Sequence, residues 1–250
     1  MENIESYLKL GFSEAKEDEK NFIQQLKNPE YIKKYVASSL LGVNERLSWY
    51  YLFVEKDLVK AKQCFYLYGK VNLYKKQFED DFNHESPMGM NPSVIYTLLS
   101  DSNNLFNAFV NSTYKNESYY LKRGSLSIVI QHILNNKDEK AFSLLDTFFK
   151  KHKQYDFKES DGEILKAILE NDKGKIEELL HFLLLPRNHK KTNGIYPLRR
   201  DLLSFPALGY AKLAWLRGIE IEIDHPLIPK ELLPLQPNKE YTNSYDFLTI

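Results

Sequence analysis

Apolar residues recur every three to four positions along most of this chain, and the interruptions fall where helices end. In PEYIKKYVASSLLGVNERLSWYYLFVE, Ile32, Val36 (or Tyr35), Ser39 and Leu40 share one face, which predicts an amphipathic helix. EAKEDEKNFIQQLKN predicts a helix before it, closed by Asn28-Pro29. Asp57 opens DLVKAKQCFYLYGKVNLYKKQFEDDF, where Leu58, Ala61, Phe65, Tyr68 and Asn72 keep the period over what reads as one long helix. SPMGMNPSV breaks the chain, and helical spacing resumes in SVIYTLLSDSNNLFNAFV, ESYYLKRGSLSIVIQHILNN and DEKAFSLLDTFFKKHK. Asp138 stands where a carboxylate would cap the last of these.

SDGEILKAILEND and KGKIEELLHFLLL then form a predicted pair joined by a tight turn at Asn171-Asp172-Lys173-Gly174. Ser160 and Glu163 have capping-box spacing. RNHKKTNGIYPLRRDLL reads as a polar, basic connector. SFPALGYAKLAWLRG predicts a helix with Ser204 as N-cap and Gly218 just past its end, where a left-handed residue stops helices. Its Ala207, Gly209, Ala211 and Ala214 would let a neighbouring helix approach closely.

The period changes in LRGIEIEIDHPLIPKELL (Leu216–Leu233). Ile219, Ile221 and Ile223 alternate with Glu220, Glu222 and Asp224, so an extended segment over 219–224 would set isoleucines on one side and carboxylates on the other. The three carboxylates are too spread along such a segment to close on one cation, and His225 projects to the opposite side. A structural clasp, built on Gly218, Asp224, Pro226 and Pro229, is the expectation. Its backbone groups still need partners, and losing Asp224 or Pro226 should lower stability rather than partner affinity.

The elements together predict an all-α fold: a bundle or short solenoid of antiparallel helix pairs, with the extended segment near 219–224. We expect one helical domain over 1–250, with a looser subdivision into 1–90 and 91–250. No fixed repeat period is present.

Composition narrows function mainly by exclusion. Of 250 residues, 34 are Lys or Arg and 34 Asp or Glu, a balance that argues against a general nucleic-acid coat. The single cysteine, Cys64, forms no intrachain disulfide. No apolar leader opens the chain, and the longest apolar run, LLHFLLLP, is far short of a membrane span. The expected location is the cytoplasm, with no membrane or nucleic-acid partner. The six histidines show no HExxH and no i, i+4 pair, and GxSxG, GxGxxG and GxxxxGK[ST] are absent. No catalytic residue, cofactor or metal is therefore expected. His132 and His181, in apolar helical segments, are the candidates for an enzymatic pocket.

One charge cluster suits an acidic protein partner: Arg187, His189, Lys190, Lys191, Arg199 and Arg200.

The stretch Ser160–Leu233 resembles bacterial immunity proteins of polymorphic toxin systems, most closely the immunity protein 49 family. The resemblance is carried by Asp161, Asn171-Asp172, the small-residue helix Ala207–Leu216, Arg217-Gly218, Ile219–Ile223, Asp224, Pro226, Pro229 and Leu232-Leu233. It implies an all-helical fold, no catalytic residues, and one partner: a cognate toxin, a nuclease in many such systems, held inactive in the producing cell or its kin. A nuclease toxin would have a basic cleft that acidic side chains meet, which makes Glu79, Asp80 and Asp81, or alternatively Glu17, Asp18 and Glu19, the candidates on the resemblance. The alternatives are a helical-repeat interaction scaffold and an enzyme with a pocket histidine.

Overall fold

The computed structural model describes residues 2–28, 31, 33–76, 90–112, 126–151, 156–193, 197–245, 247 and 248, without the side chains of 2, 3, 76, 151, 156–159 and 197–199. The fold is all-α. Among the described residues no strand forms, and no helix is long and apolar enough to cross a membrane. The chain divides into two compact units: Met1–Asp80 with Ser100–Phe109 and Gln236–Ile250, and Asp81–Leu99 with Val110–Leu235.

The first unit is built on α1 (Glu2–Lys27), α2 (Lys33–Tyr50) and α3 (Leu58–Lys76), with α2 packed between the other two. The first helix begins at Glu2, well before the expected Glu14, because Leu8 and Phe12 extend the apolar face of Ala15. Asp18 of α1 pairs with Arg46 of α2 at 2.6 Å, and Phe12 stacks on Tyr50. α2 ends in a π-helical turn, Tyr51–Glu55, closed by Lys56 in the left-handed region (φ 56°). Asp57 then caps α3, its Oδ1 accepting from Lys60 N–H at 2.9 Å.

Residues 236–245, with 247 and 248, pack against these helices as a strap. The Gln63 side-chain amide donates to Thr242 O and accepts from Thr242 N–H, as a paired strand would. Tyr241 donates to Ser100 O, and Tyr245 and Leu248 enter the core with Leu40, Val71 and Leu105.

The stretch of helical spacing expected from Ser93 to Val110 forms two helices: α4 (Pro92–Leu99), in the second unit, and α5 (Asn103–Asn111). Ser-Asp-Ser breaks it. Asp101 takes φ 57°, and the Ser102 hydroxyl accepts from Leu105 N–H at the start of α5. Short polar side chains compete with helix in this way.

The second unit stacks α6 (Ser127–Leu134), α7 (Asp138–Lys151), α8 (Asp156–Leu169) and α9 (Lys173–Leu184) in succession, each against the next in sequence. Both expected caps in this stretch are corrected. Asp138 is the first helical residue and Lys137 accepts the first backbone bond, while the Asp138 carboxylate pairs with Arg217. Ser160 lies inside α8, which starts at Asp156, so it caps nothing. The tight turn does form: Asn171 has φ 57°, and Asp172 Oδ1 accepts from Lys175 N–H to cap α9.

α12 (Phe205–Leu216) is buried over Phe205–Ala214 and packs on α4, α8 and α9. A Cβ at Gly209 would fall 2.3 Å from Met90 Cγ and 2.8 Å from Ile95 Cγ1, so only glycine permits the α4 contact. α10 (Pro186–Asn193) and α11 (Pro197–Leu202) replace the expected basic connector. Each begins with proline, which suits a first helical turn because it lacks the N–H that would go unpaired there.

After α12, Gly218 takes φ 80°. Ile219, Ile221 and Ile223 are buried while Glu220, Glu222 and Asp224 are exposed, as the alternation predicts. Side chains satisfy the backbone in place of a second strand: Glu177 accepts from Glu222 N–H, and Trp215 Nε1 donates to Ile221 O.

Candidate functional site

Of the residues expected at a site, Arg187 and Arg200 lie on two separate helices, α10 and α11. Arg187 is exposed on α10, two residues after the exposed Leu185 that ends α9. Arg200, on α11, is half-buried, and its Nε lies 3.4 Å from Asp201 Oδ1. Arg199 belongs to the same helix, and its side chain falls outside the described residues, as do Glu79, Asp80 and Asp81.

His189, counted among the basic groups, is a buried tie instead. Its Nε2 lies 2.8 Å from Arg200 O, and Asn193 Nδ2 lies 3.1 Å from its Nδ1. A neutral ring with its proton on Nε2 satisfies both contacts. Asn193 Oδ1 accepts from Phe205 N–H, so this network caps α12 in place of the Ser204 side chain, which makes no capping bond. The basic stretch is thus held by its uncharged groups, Asn188, His189 and Asn193, all buried.

His181 is exposed on the surface of α9, which removes it as a base in a pocket. Among the described residues, no group of three or more His, Cys, Asp or Glu could hold a metal ion. His225 sits near His181 and His189, and burial first, then those two rings, holds its pKa below the ordinary histidine value. Its Nδ1 accepts from Leu227 N–H, which also needs the neutral ring.

The clasp residues have separable roles. Gly218 supplies the left-handed turn. Asp224 is exposed and pairs with exposed Lys230 at 2.9 Å. Pro229 is buried and immediately precedes a short 3-10 turn, Lys230–Leu232. Arg217 was legible only as a helix-end residue. Its guanidinium reaches back to Ile133 O (2.9 Å), Asn136 Oδ1 (2.8 Å) and Asp138 Oδ2 (2.8 Å), locking the α6–α7 turn.

The first unit contains a half-open recess of about 290 Å³ between α1, α2, α3 and the strap. Its floor is apolar: Ile23, Leu47, Cys64 and Leu67. Burial pushes the Cys64 thiol up to about 12, so it behaves as a small hydrophobe. One wall is a relay in which Asn44 Nδ2 donates to Tyr245 Oη and Tyr245 donates to Glu19 Oε1, each at 2.9 Å. Tyr51, turned by the π-helical turn, forms another part of the lining, and Lys60 lies 5.2 Å from its ring centroid. π-helical turns occur often at functional sites. Of the acidic run on α1, Asp18 is taken by Arg46, Glu17 is exposed, and Glu19 enters this recess.

A family model described as Immunity protein 49 matches residues 95–232, more than half of the chain and beginning well upstream of Ser160. No curated protein matches the chain, and no solved structure does.

Proposed function

We propose that this chain, which belongs to the Immunity protein 49 family, binds a cognate antibacterial toxin in the cytoplasm of the cell that makes both, and holds it inactive. The family match carries this reading. It spans most of the second unit, including the Arg217-Gly218 turn and the buried isoleucines that follow it. The architecture supports it: a stack of helices whose buried ionic groups tie elements together, with exposed Tyr7, Leu10, Tyr35, Phe182 and Leu185 as apolar anchors of the kind that centre protein interfaces.

Inhibition by a stoichiometric binder needs no chemistry of its own. A standard interface of about 1,600 Å² would cover a catalytic cleft. The polar network around His189 and Asn193 and the clamp by Arg217 keep the second unit rigid, which lowers the ordering cost of association.

Co-expression tests the reading. If the gene beside this one encodes the toxin, cells carrying it should grow when this protein is made and die when it is not, and the two products should co-purify. Growth arrest in its presence, with no complex, rejects the reading.

A further inference from the structure

The N-terminal end of α12 has no cap of its own. Ser204 stands at the N-cap, but its side chain makes no capping bond, and its buried Oγ has no hydrogen-bond partner among the described residues. Pro206 has no N–H to place. The first two backbone donors of this end, on the buried residues Ser204 and Phe205, borrow acceptors from elsewhere in the second unit. Ser204 N–H donates to Leu227 O at 3.0 Å, and Phe205 N–H to Asn193 Oδ1 at 3.1 Å. Each of these acceptor residues is in turn held by a histidine. Asn193 Nδ2 donates to His189 Nδ1 at 3.1 Å, and Leu227 N–H donates to His225 Nδ1 at 3.2 Å. His189 Nε2 carries a proton to meet Arg200 O, so its Nδ1 accepts only while the ring is neutral. Nδ1 of His225 likewise accepts only when unprotonated.

The charged groups on the surrounding elements offer no spare anion. On α9, His181 is exposed, Glu177 pairs with Lys173 and Glu178 with Lys175. On α11, Asp201 pairs with Arg200, and in the clasp Asp224 pairs with Lys230 and Glu222 with Lys173. Arg187, Lys190 and Lys191 are exposed on α10, and Lys212 is buried in α12. A second proton on His225 meets like charge from His181 and His189, which adds to the cost of burial in holding its pKa below the ordinary value.

We propose that His189 and His225 form an acid-released latch on the start of α12, closed while both rings are neutral and opened locally when each takes a second proton. On His189 the new Nδ1 proton faces the Asn193 amide protons. Turning that amide over relieves the conflict only by setting its NH2 against Phe205 N–H. On His225 the new proton faces Leu227 N–H and pushes away the residue whose carbonyl serves Ser204. The bond from His189 Nε2 to Arg200 O survives protonation, so α11 stays tied to α10 while the start of α12 comes free. The latch is fully closed above the ordinary histidine pKa of about 6.5 and is lost as pH falls towards the lower folded value of His225.

The test is amide hydrogen exchange by NMR on the full chain between pH 7.5 and pH 5, expressed as protection factors, with the histidine ring signals followed in the same samples. Protection of the Ser204, Phe205 and Leu227 amides should fall about tenfold as the rings titrate, while Ile168 in α8 and Leu213 in α12 change by less than about twofold. His225→Asn keeps an acceptor for Leu227 N–H at every pH, so it should hold Ser204 protected and still release Phe205. His189→Gln, which cannot take the second proton, should show the reverse; if it does not fold, His225→Asn and the wild-type ring titration decide. Protection of Ser204 and Phe205 that persists to pH 5 overturns the latch, whether or not the rings titrate. A loss shared equally by Ile168 and Leu213 also overturns it, being general acid unfolding, and so does a His225→Asn protein that loses Ser204 protection as the wild type does. No toxin takes part, so failure here leaves the immunity reading standing.

Discussion

Lys62 Nζ lies 2.6 Å from Asp101 Oδ2, and the two side chains are 1% and 0% exposed. The same ammonium donates to Gln236 O at 2.6 Å, and the same carboxylate oxygen accepts from Gln236 N–H at 3.2 Å. A single buried ion pair therefore fixes three pieces of the first unit: α3, the Ser-Asp-Ser break and the start of the strap. Asp101 and Gln236 stand just inside two of the points where the chain passes from the second unit to the first.

Replacing Lys62 by Met should cost about 3–5 kcal/mol, because it leaves a carboxylate buried without its cation. Chemical denaturation measures this, and a loss under about 1 kcal/mol would show the pair to be dispensable. Asp101→Asn should cost less than Asp101→Ala, since asparagine tolerates the left-handed backbone at φ 57° and alanine does not.

Arg217→Ala should destabilise the second unit by about 2–3 kcal/mol, from lost charge-assisted bonds to Ile133 O, Asn136 and Asp138. Arg217→Lys should recover less than half, because an ammonium cannot reproduce the fork that spans a carbonyl, an amide and a carboxylate. Thermal melts compare the three proteins, and equal melting temperatures for wild type and Arg217→Ala would contradict the clamp.

Within the clasp, the buried and exposed faces should separate cleanly. Ile221→Ala removes a side chain 2% exposed and should cost about 2–4 kcal/mol. Asp224→Ala removes only an exposed ion pair with Lys230 and should cost less than about 1 kcal/mol. Pro226→Ala should lower stability modestly by loosening the unfolded chain. None should change toxin affinity in the folded protein. Paired melting and binding measurements check this, and lost affinity at unchanged stability would move the clasp into the interface.

His225 predicts a pH dependence. Its folded pKa is held below the ordinary value, by burial first and then by His189 and His181. The unfolded chain therefore binds the proton more readily, and the stability His225 contributes is present above its ordinary pKa of about 6.5 and lost as pH falls towards the folded value. Between pH 7.5 and 5.5 the wild-type protein should lose stability faster than His225→Asn, whose side-chain oxygen can still accept from Leu227 N–H. Parallel slopes in urea titrations would remove His225 from this role.

Much of the second unit was legible because burial there follows one period at a time. The α8–α9 pair, its Asn171-Asp172 turn, the small-residue α12 and the isoleucine alternation each follow from local spacing. Three features did not. α10 was hidden because its residues are polar, and its burial depends on His189 and Asn193 finding partners on other elements. Arg217 is marked by its place at a helix end, while its partners lie some eighty positions earlier. The strap has no apolar period at all. Its Tyr245 meets Glu19 and Asn44 only once the chain has closed on itself, and so the recess that follows from this closure has no signature in spacing. The acidic run on α1 was a usable signal, though it could not show that Glu19 alone turns inward while Asp18 pairs with Arg46.

The most direct test is survival. A strain is given the adjacent gene, as the cognate toxin under test, under inducible control, with this protein, with an Arg217→Ala variant destabilised in the second unit, or with empty vector. We expect growth to be restored fully by the wild-type protein, in part by the variant and not at all by the vector, with toxin and wild-type protein recovered as one complex. Arrest of the cells making wild-type protein, at levels where it is folded and abundant, would contradict the assignment of this chain as the toxin's inhibitor.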